Sequence, residues 1–411
     1  MPIPSQLNLD KFMGKELFEV FLGTFNAEPW IEQVISSLEA QDHPAFKVRI
    51  FDNASTDNTV AMISNILSKT NLKNEYTLFT NHKNIGAISS FLDRLDQFDC
   101  DWIVMVHQDD YYHPDHISTL ATSLKEESEN TGIVFTAMQR IDGQGNVKIS
   151  PPTLSSKMSK TDRLENFMLS LQISPVNFPA CALKKLDLQR VNTSRHTTAF
   201  NDIEILLQMM CIADVKYIPK ETMHYRVYAG NAASITSSLA NDRAIFVGLV
   251  ELFHSKEVDH VLTLVTSDEH WGKLIQSINQ AIDIRIQSEE IKDLARNMIS
   301  ESLVRRFGYT NKYLAEFLIS SLNQLGLARE STVAQNLHLH PGYSRVDFLE
   351  STPDQQQQIG QYSTGKTPAA GRLINLFPLS TREAFFDFVF NSKLLSGAQR
   401  PFVRVWRLRG K

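Results

Sequence analysis

Through the first half of the chain, short apolar runs alternate with longer stretches of helical periodicity. From Leu17 the run LFEVFLGTFN is apolar and then ends in turn residues, which suits a strand buried on both faces. The segment AEPWIEQVISSLEAQ follows, with Trp30, Val34, Ile35 and Leu38 at helical spacing. Pro29 sits near the first turn, where its missing N–H costs little. The same alternation returns as KVRIFDN then TDNTVAMISNILSK, YTLFTN then GAISSFLDRLDQF, and WIVMVHQ then HPDHISTLATSLKEE. It predicts an α/β fold: a Rossmann-like, mostly parallel sheet covered by helices on both sides. After the strand-like GIVFTAMQRID the alternation fades, and DGQGNVKISPPTLSSKMSK reads as turn and loop. Beyond about Asn241 the pattern becomes long and amphipathic, with Leu274, Ile278, Ala281 and Ile282 on one side of a helix. A sheet domain over 1–240, a mainly helical domain over 241–350, and a polar linker with a tail over 351–411 are expected. The helical face also fits a homo-oligomer contact.

In an open parallel sheet the ligand site lies beyond the carboxyl ends of the strands, where loops converge and helix amino termini point inward. The polar residues fall there. Thr24 and Asn26 end the first strand, Asp52 and Asn53 the second, Asn81, Asn84 and Gly86 follow the third, and Gln108, Asp109 and Asp110 end the fourth. Each alone is an ordinary turn or helix cap, as Asp57 is before the second helix. Four tips carrying hydrogen-bonding residues to one rim make a site. The loop GTFNAEP holds one glycine, with neither GxGxxG nor GxxxxGK[ST] nearby, so a dinucleotide fingerprint and a P-loop are excluded.

The totals narrow the class. A chain of 411 residues holds about two to three domains. A net charge of −5 gives no reason to expect nucleic acid as a partner. Cys100, Cys181 and Cys211 are scattered and odd in number, which fits a reducing, cytoplasmic compartment better than a disulfide framework. The polar opening MPIPSQLNLDKFMGKE reads as no signal peptide, and no 18 uncharged apolar residues run together.

The stretch VMVHQDDYYHPDH puts two adjacent carboxylates, Asp109 and Asp110, at the tip of an apolar strand. Ionised side by side they repel, so they are solvated loop residues or share a cation. The blocks VFLGTFNAEPWIEQVISSLEAQDHPAFKVRIFDNASTDNT, NIGAISSF and HQDDYYHPDHI, in that order, resemble those of family 2 glycosyltransferases with the GT-A fold, over roughly Leu17 to Ser234. The resemblance implies a nucleotide-diphosphate sugar donor and a divalent cation, Mn²⁺ or Mg²⁺. It implies nucleoside contacts from Thr24 and Asp52, with Asn26, Asn53, Asn84, Gly86 and Gln108 on the same donor side. Asp109 then lies near ribose and metal, and Asp110 coordinates directly. Hard oxygen ligands suit such cations, which bridge diphosphate oxygens and stabilise the leaving group. Where many relatives carry a further aspartate this chain has His107, a neutral and softer metal ligand.

On the acceptor side, SPVNFPACALKKLDLQRV resembles the segment lining the cleft near the sugar, and TAFNDIEILLQMM the helix that carries the base. Asp202 matches that base, and Glu204 is the reserve. Both also fit as acids placed favourably at a helix start. A carboxylate there takes the proton of an attacking hydroxyl, and attack opposite the nucleotide inverts the anomeric configuration. In YIPKETMHYRVYAGNAAS, Tyr225, Arg226 and Ser234 match the closing strand and loop, while Tyr228 stands where a histidine is usual. Arg226 reads as a diphosphate contact or as a structural ion-pair residue, and His224 as a substitute histidine or a packing one.

The tail carries Lys393, Arg400, Arg404, Arg407, Arg409 and Lys411 among aromatic residues, with no acid after Asp387. Peripheral contact with the inner membrane face, suiting a lipid-linked glycan acceptor, is one reading. A segment packed on its own domain or a partner subunit is the other. The expected function is transfer of a sugar to a glycan hydroxyl in bacterial surface polysaccharide synthesis. A non-catalytic nucleotide-sugar binding or assembly subunit is the alternative left open by His107 and Tyr228.

Overall fold

The computed structural model describes residues 16–69, 71–125, 128–147, 158, 162–173, 175–191, 201–228, 239–308, 311–326, 331 and 335. The amino-terminal segment, Ser234 and the 351–411 tail lie outside the described residues.

Among the described residues eight strands form one mixed sheet in the order β3-β2-β1-β4-β7-β6-β8-β5. They are β1 (Glu16–Thr24), β2 (Lys47–Asp52), β3 (Glu75–Thr80), β4 (Cys100–His107), β5 (Tyr111–Tyr112), β6 (Thr131–Ile141), β7 (Cys181–Lys184) and β8 (Asp214–Arg226). The four strands read from periodicity, β1 to β4, pair in parallel. The surprise is β7, four residues that run antiparallel to both β4 and β6 and, with the antiparallel β5–β8 pair, make the sheet mixed. Its sequence CALK is too short to show a period, so the cleft-lining segment of which it is part gave no strand signal.

Helices cover both faces. Ile31, Val34, Ile35 and Leu38 of α1 (Ile31–Glu39) and Ile117 and Leu120 of α4 (His116–Leu124) are buried with Val20, Leu22, Val48, Ile50, Val104 and Val106 of the sheet. On the other face Phe21 stacks on Phe51 at 5.6 Å between centroids, and Phe91 of α3 (Ala87–Leu92) lies 4.7 Å from Phe21. Burial on both faces is why these strands read as continuous apolar runs rather than alternating ones.

A first compact unit runs to Ser302. Within it, α8 (Leu239–His254), α9 (Glu257–Leu262) and α10 (Asp268–Arg285) pack on α5 (Arg163–Gln172) and α7 (Asn201–Ile212). The seam includes Phe167 against Phe253 at 6.3 Å and a 2.7 Å bond from Gln172 Nε2 to Ser277 Oγ. The Asp242 carboxylate accepts the N–H groups of Gln287 and Ser288, just ahead of α11 (Glu289–Phe307). These two bonds satisfy donors at the start of α11 that its own backbone cannot. The second unit begins at Leu303 and includes α12 (Lys312–Gln324), whose Asn311 cap accepts from Leu314 N at 3.1 Å. The C-terminal region is helical as far as it is described.

Candidate active site

At the carboxyl ends of β1 and β2, Thr24 and Asp52 are register neighbours. Thr24 Oγ1 donates to Asp52 Oδ2 at 3.0 Å, and Ser55 N donates to Asp52 Oδ1 at 2.9 Å. The turn between them passes through Ala54 at φ 64°, a left-handed conformation that costs a non-glycine residue about 1–2 kcal/mol. Asn53 N donates to Thr24 O, and its side chain joins the next loop: Nδ2 donates to Asn84 Oδ1 at 2.7 Å, while Oδ1 accepts from Asn81 Nδ2 and Ile85 N, each at 3.0 Å. Asn84 Oδ1 also accepts from Gly86 N at 2.9 Å, and Gly86 needs its missing Cβ for a φ of 87°. Asn26, at φ 50°, accepts from Thr56 N at 2.9 Å. Thus Thr24, Asn26, Asp52, Asn53, Asn84 and Gly86 form one polar network across three strand ends. Gln108 is committed differently, its amide pairing with both Phe25 N at 2.6 Å and Phe25 O at 3.1 Å, which ties the tip of β4 to that of β1.

His107, Asp109 and Asp110 place one ligand atom each within 4.8 Å of one another. Asp110 is 1% exposed. Its Oδ1 accepts from Arg226 N at 2.9 Å, but its Oδ2 is buried with no hydrogen-bond partner. Burial, and then the charge of Asp109, push the Asp110 carboxyl well above its usual range. Burial holds the His107 imidazole below its usual value, against the pull of Asp109 and Asp202. His107 Nδ1 lies 3.8 Å from the orphaned Asp110 oxygen, too far for a hydrogen bond. A neutral imidazole and two carboxylates, one with an unsatisfied buried oxygen, fit a divalent cation, and the nitrogen donor suits Mn²⁺ better than Mg²⁺.

Arg226 is buried and fixes this centre from β8. Its Nε donates to Asp109 O at 2.8 Å, its Nη2 to Gln33 Oε1 at 2.9 Å, and its guanidinium lies 4.3 Å over the Trp30 ring. Tyr228 Oη donates to Asp109 Oδ2 at 3.1 Å. Burial, with Asp109 beside it, pushes that phenol up to about 12. His224 packs on His113, with the two Nε2 atoms 3.1 Å apart.

Asp202 lies in the first turn of α7 and accepts from Ile203 N at 2.8 Å. Burial raises its carboxyl, opposed by the Ile203 N–H, His107 and Arg285. Asp202 and His107 feel one another's charge, so α7 brings its acid to the tip of β4. Glu204 instead is 1% exposed and accepts from Gln208 Nε2 at 3.3 Å one turn along the helix. Arg285 is the residue missed from sequence. It ends α10, donates Nε to Leu171 O at 3.1 Å, and its cation acts on Asp202 while burial lowers it to about 10. In sequence it is one more basic residue near the end of an amphipathic helix, and nothing there links it to α7.

Residues 19–187 match the sequence model of the family described as Glycosyl transferase family 2. This segment belongs to that family. Poly(ribitol-phosphate) beta-N-acetylglucosaminyltransferase TarS from Staphylococcus aureus strain Mu50 is 26% identical over 170 residues, 41% of this chain and 28% of the relative. The match therefore spans little more than a quarter of that relative's length. Among solved structures, S. aureus TarS 1-349 in complex with UDP-GlcNAc superimposes with a TM-score of 0.54 at 15% identity, covering 83% of this chain and 90% of that one. The same protein in complex with UDP gives 0.53 at 15% identity, covering 83% and 89%. The fold is GT-A, and the family 2 segment carries all three residues of the acidic centre together with the polar network on β1 and β2.

Proposed function

We propose that this chain is a glycosyltransferase that moves a sugar from a nucleotide-diphosphate donor to a hydroxyl of a glycan, with inversion, in cell-surface polysaccharide synthesis. The observation that carries the reading is the buried, unpartnered Oδ2 of Asp110, set beside Asp109 and His107, with the charge of Asp202 on another element acting on His107. S. aureus TarS 1-349, solved in complex with UDP and with UDP-GlcNAc, supports a nucleotide-sugar donor, and the printed name of TarS, a poly(ribitol-phosphate) beta-N-acetylglucosaminyltransferase, supports a polyhydroxylated polymer as acceptor.

In this reading Asp52, held by Thr24 and Ser55, receives the base of the nucleotide on its remaining lone pairs. His107, Asp109 and Asp110 would hold a divalent cation, which would supply positive charge to offset that of the leaving diphosphate. Tyr228 and Arg226 keep Asp109 in place, one through its carboxylate and one through its carbonyl. Asp202 takes the acceptor proton as the new bond forms, a role worth about 10²–10⁴-fold in rate. Arg285 favours its ionised form, which a base needs. Among the described residues no helix is long and apolar enough to cross a membrane. We place the protein in the cytoplasm, acting on a soluble or lipid-linked acceptor.

Asp202→Asn tests this reading, because it removes the base and leaves the acidic centre in place. Donor turnover is expected to fall about 10²–10⁴-fold while metal-dependent nucleotide binding by calorimetry persists. Turnover unchanged in Asp202→Asn would refute the assignment of the base, and no nucleotide-sugar turnover by the wild type would favour the binding-subunit alternative.

A further inference from the structure

Beside the acidic centre lies a concavity of about 330 Å³, at the low end of small-ligand clefts of about 300–1,000 Å³. Trp30 and Gln33 approach it from the start of α1, Tyr111 from β5, Gln144 from the turn after β6, and His224 and Arg226 from β8. It shares Arg226 with the acidic centre, but none of His107, Asp109 and Asp110 lines it.

Its chemistry is that of a neutral ligand. Among the described residues no carboxylate lines it, and its one fixed cation is Arg226. Arg226 is held by Asp109 O, Gln33 and the Trp30 ring, and its charge is already spent on Asp110, whose rise it opposes. His224 pairs Nε2 to Nε2 with His113, which lets the two imidazoles share one proton, and burial and then His113 hold His224 below its usual value. A phosphate or carboxylate ligand would find no further cation among the described residues to balance it. What the walls do present are two aromatic side chains and two exposed side-chain amides, Gln33 and Gln144. Paired donors and acceptors beside aromatic carbon suit a polyhydroxylated ligand with C–H faces.

We propose that this cleft is an accessory subsite for a neutral stretch of the acceptor glycan, away from the reacting hydroxyl. The assignment rests on the glycosyl-transfer reading above. A long acceptor seated here is anchored by the same strand end, β8, whose Arg226 orders Asp109 and Asp110.

Gln144 gives a clean test, since it is an exposed turn residue outside the acidic centre. The full chain is applied to an array of neutral and anionic oligosaccharides without nucleotide, and binding of nucleoside diphosphates with Mn²⁺ is measured separately by calorimetry. Neutral oligosaccharides are expected to bind. Gln144→Ala should weaken them about fivefold, as for loss of one hydrogen bond, and Gln144→Trp, which fills the mouth, by more than tenfold. Nucleotide binding should be unchanged in both. No bound oligosaccharide, a preference for anionic ones, or full binding by Gln144→Trp would overturn the subsite. Glycan binding lost in Gln144→Trp from a wild type that binds no nucleotide would support the subsite while overturning the glycosyl-transfer reading.

Discussion

Asp110 is where function and stability pull in opposite directions. Its folded-state pKa is raised well above the usual 3.8, so between those two values the native state keeps a proton that the unfolded chain has lost. Its contribution to stability is therefore full below the unfolded pKa and declines as pH rises through the folded one. Asp110→Asn keeps an oxygen for Arg226 N and removes the charge. In chelator the wild type is expected to lose stability in denaturant titration as pH rises above the usual aspartate range, while Asp110→Asn, which cannot ionise there, loses less and gains nothing from Mn²⁺. An identical pH dependence in the two proteins would remove Asp110 as the titrating group. His107→Asp tests the neighbouring ligand. Replacing nitrogen by a hard carboxylate should shift preference from Mn²⁺ toward Mg²⁺ in a metal titration, whereas an unchanged metal ratio would remove His107 from the centre. The pair Asp109–Asp110 was legible in the sequence because adjacent acids at a strand tip are unusual. The commitments of Gln108 and Arg226 were not, since partners far away in the chain decide them.

At the scale of elements, the site depends on a helix end meeting a strand end. The first turn of α7 brings Asp202 to the tip of β4, and α10 brings Arg285 to Asp202. Burial raises the Asp202 carboxyl and Arg285 opposes that rise, so the acid limb of a rate profile should lie above the ordinary aspartate range. Arg285→Met removes the opposition. The limb in kcat/KM is expected to move to higher pH, with activity restored at alkaline pH, and a limb that stays in place would dissociate Arg285 from the base. The pattern revealed β1 to β4 because short apolar runs without a helical period are set off by the amphipathic stretches between them. It missed β7, where four residues carry no period and position between β4 and β6 comes from tertiary pairing.

For the whole molecule, the change of pattern near Asn241 marks the end of alternation in sequence, yet packing continues across it. α8, α9 and α10 cover α5 and α7 within the first compact unit. A chain truncated after Ala240 would expose the faces that include Phe167 and Leu171, both fully buried here. It is expected to lose cooperative thermal unfolding and to bind dye specific for exposed apolar surface, while a sharp transition would show that the sheet region stands alone. The central claim is that acids from the turn after β4 and from α7, with Asp52 from β2, surround one cation-held nucleotide diphosphate. Thermal unfolding of the full chain with nucleotide-diphosphate sugars, each in Mn²⁺, Mg²⁺ or chelator, tests it most directly, because a ligand at 100 times its Kd stabilises the native state by about 2.7 kcal/mol. A rise in Tm with one such sugar, present with metal and absent in chelator or in Asp110→Asn, is the expected result, and equal responses to every nucleotide with or without chelator would contradict it.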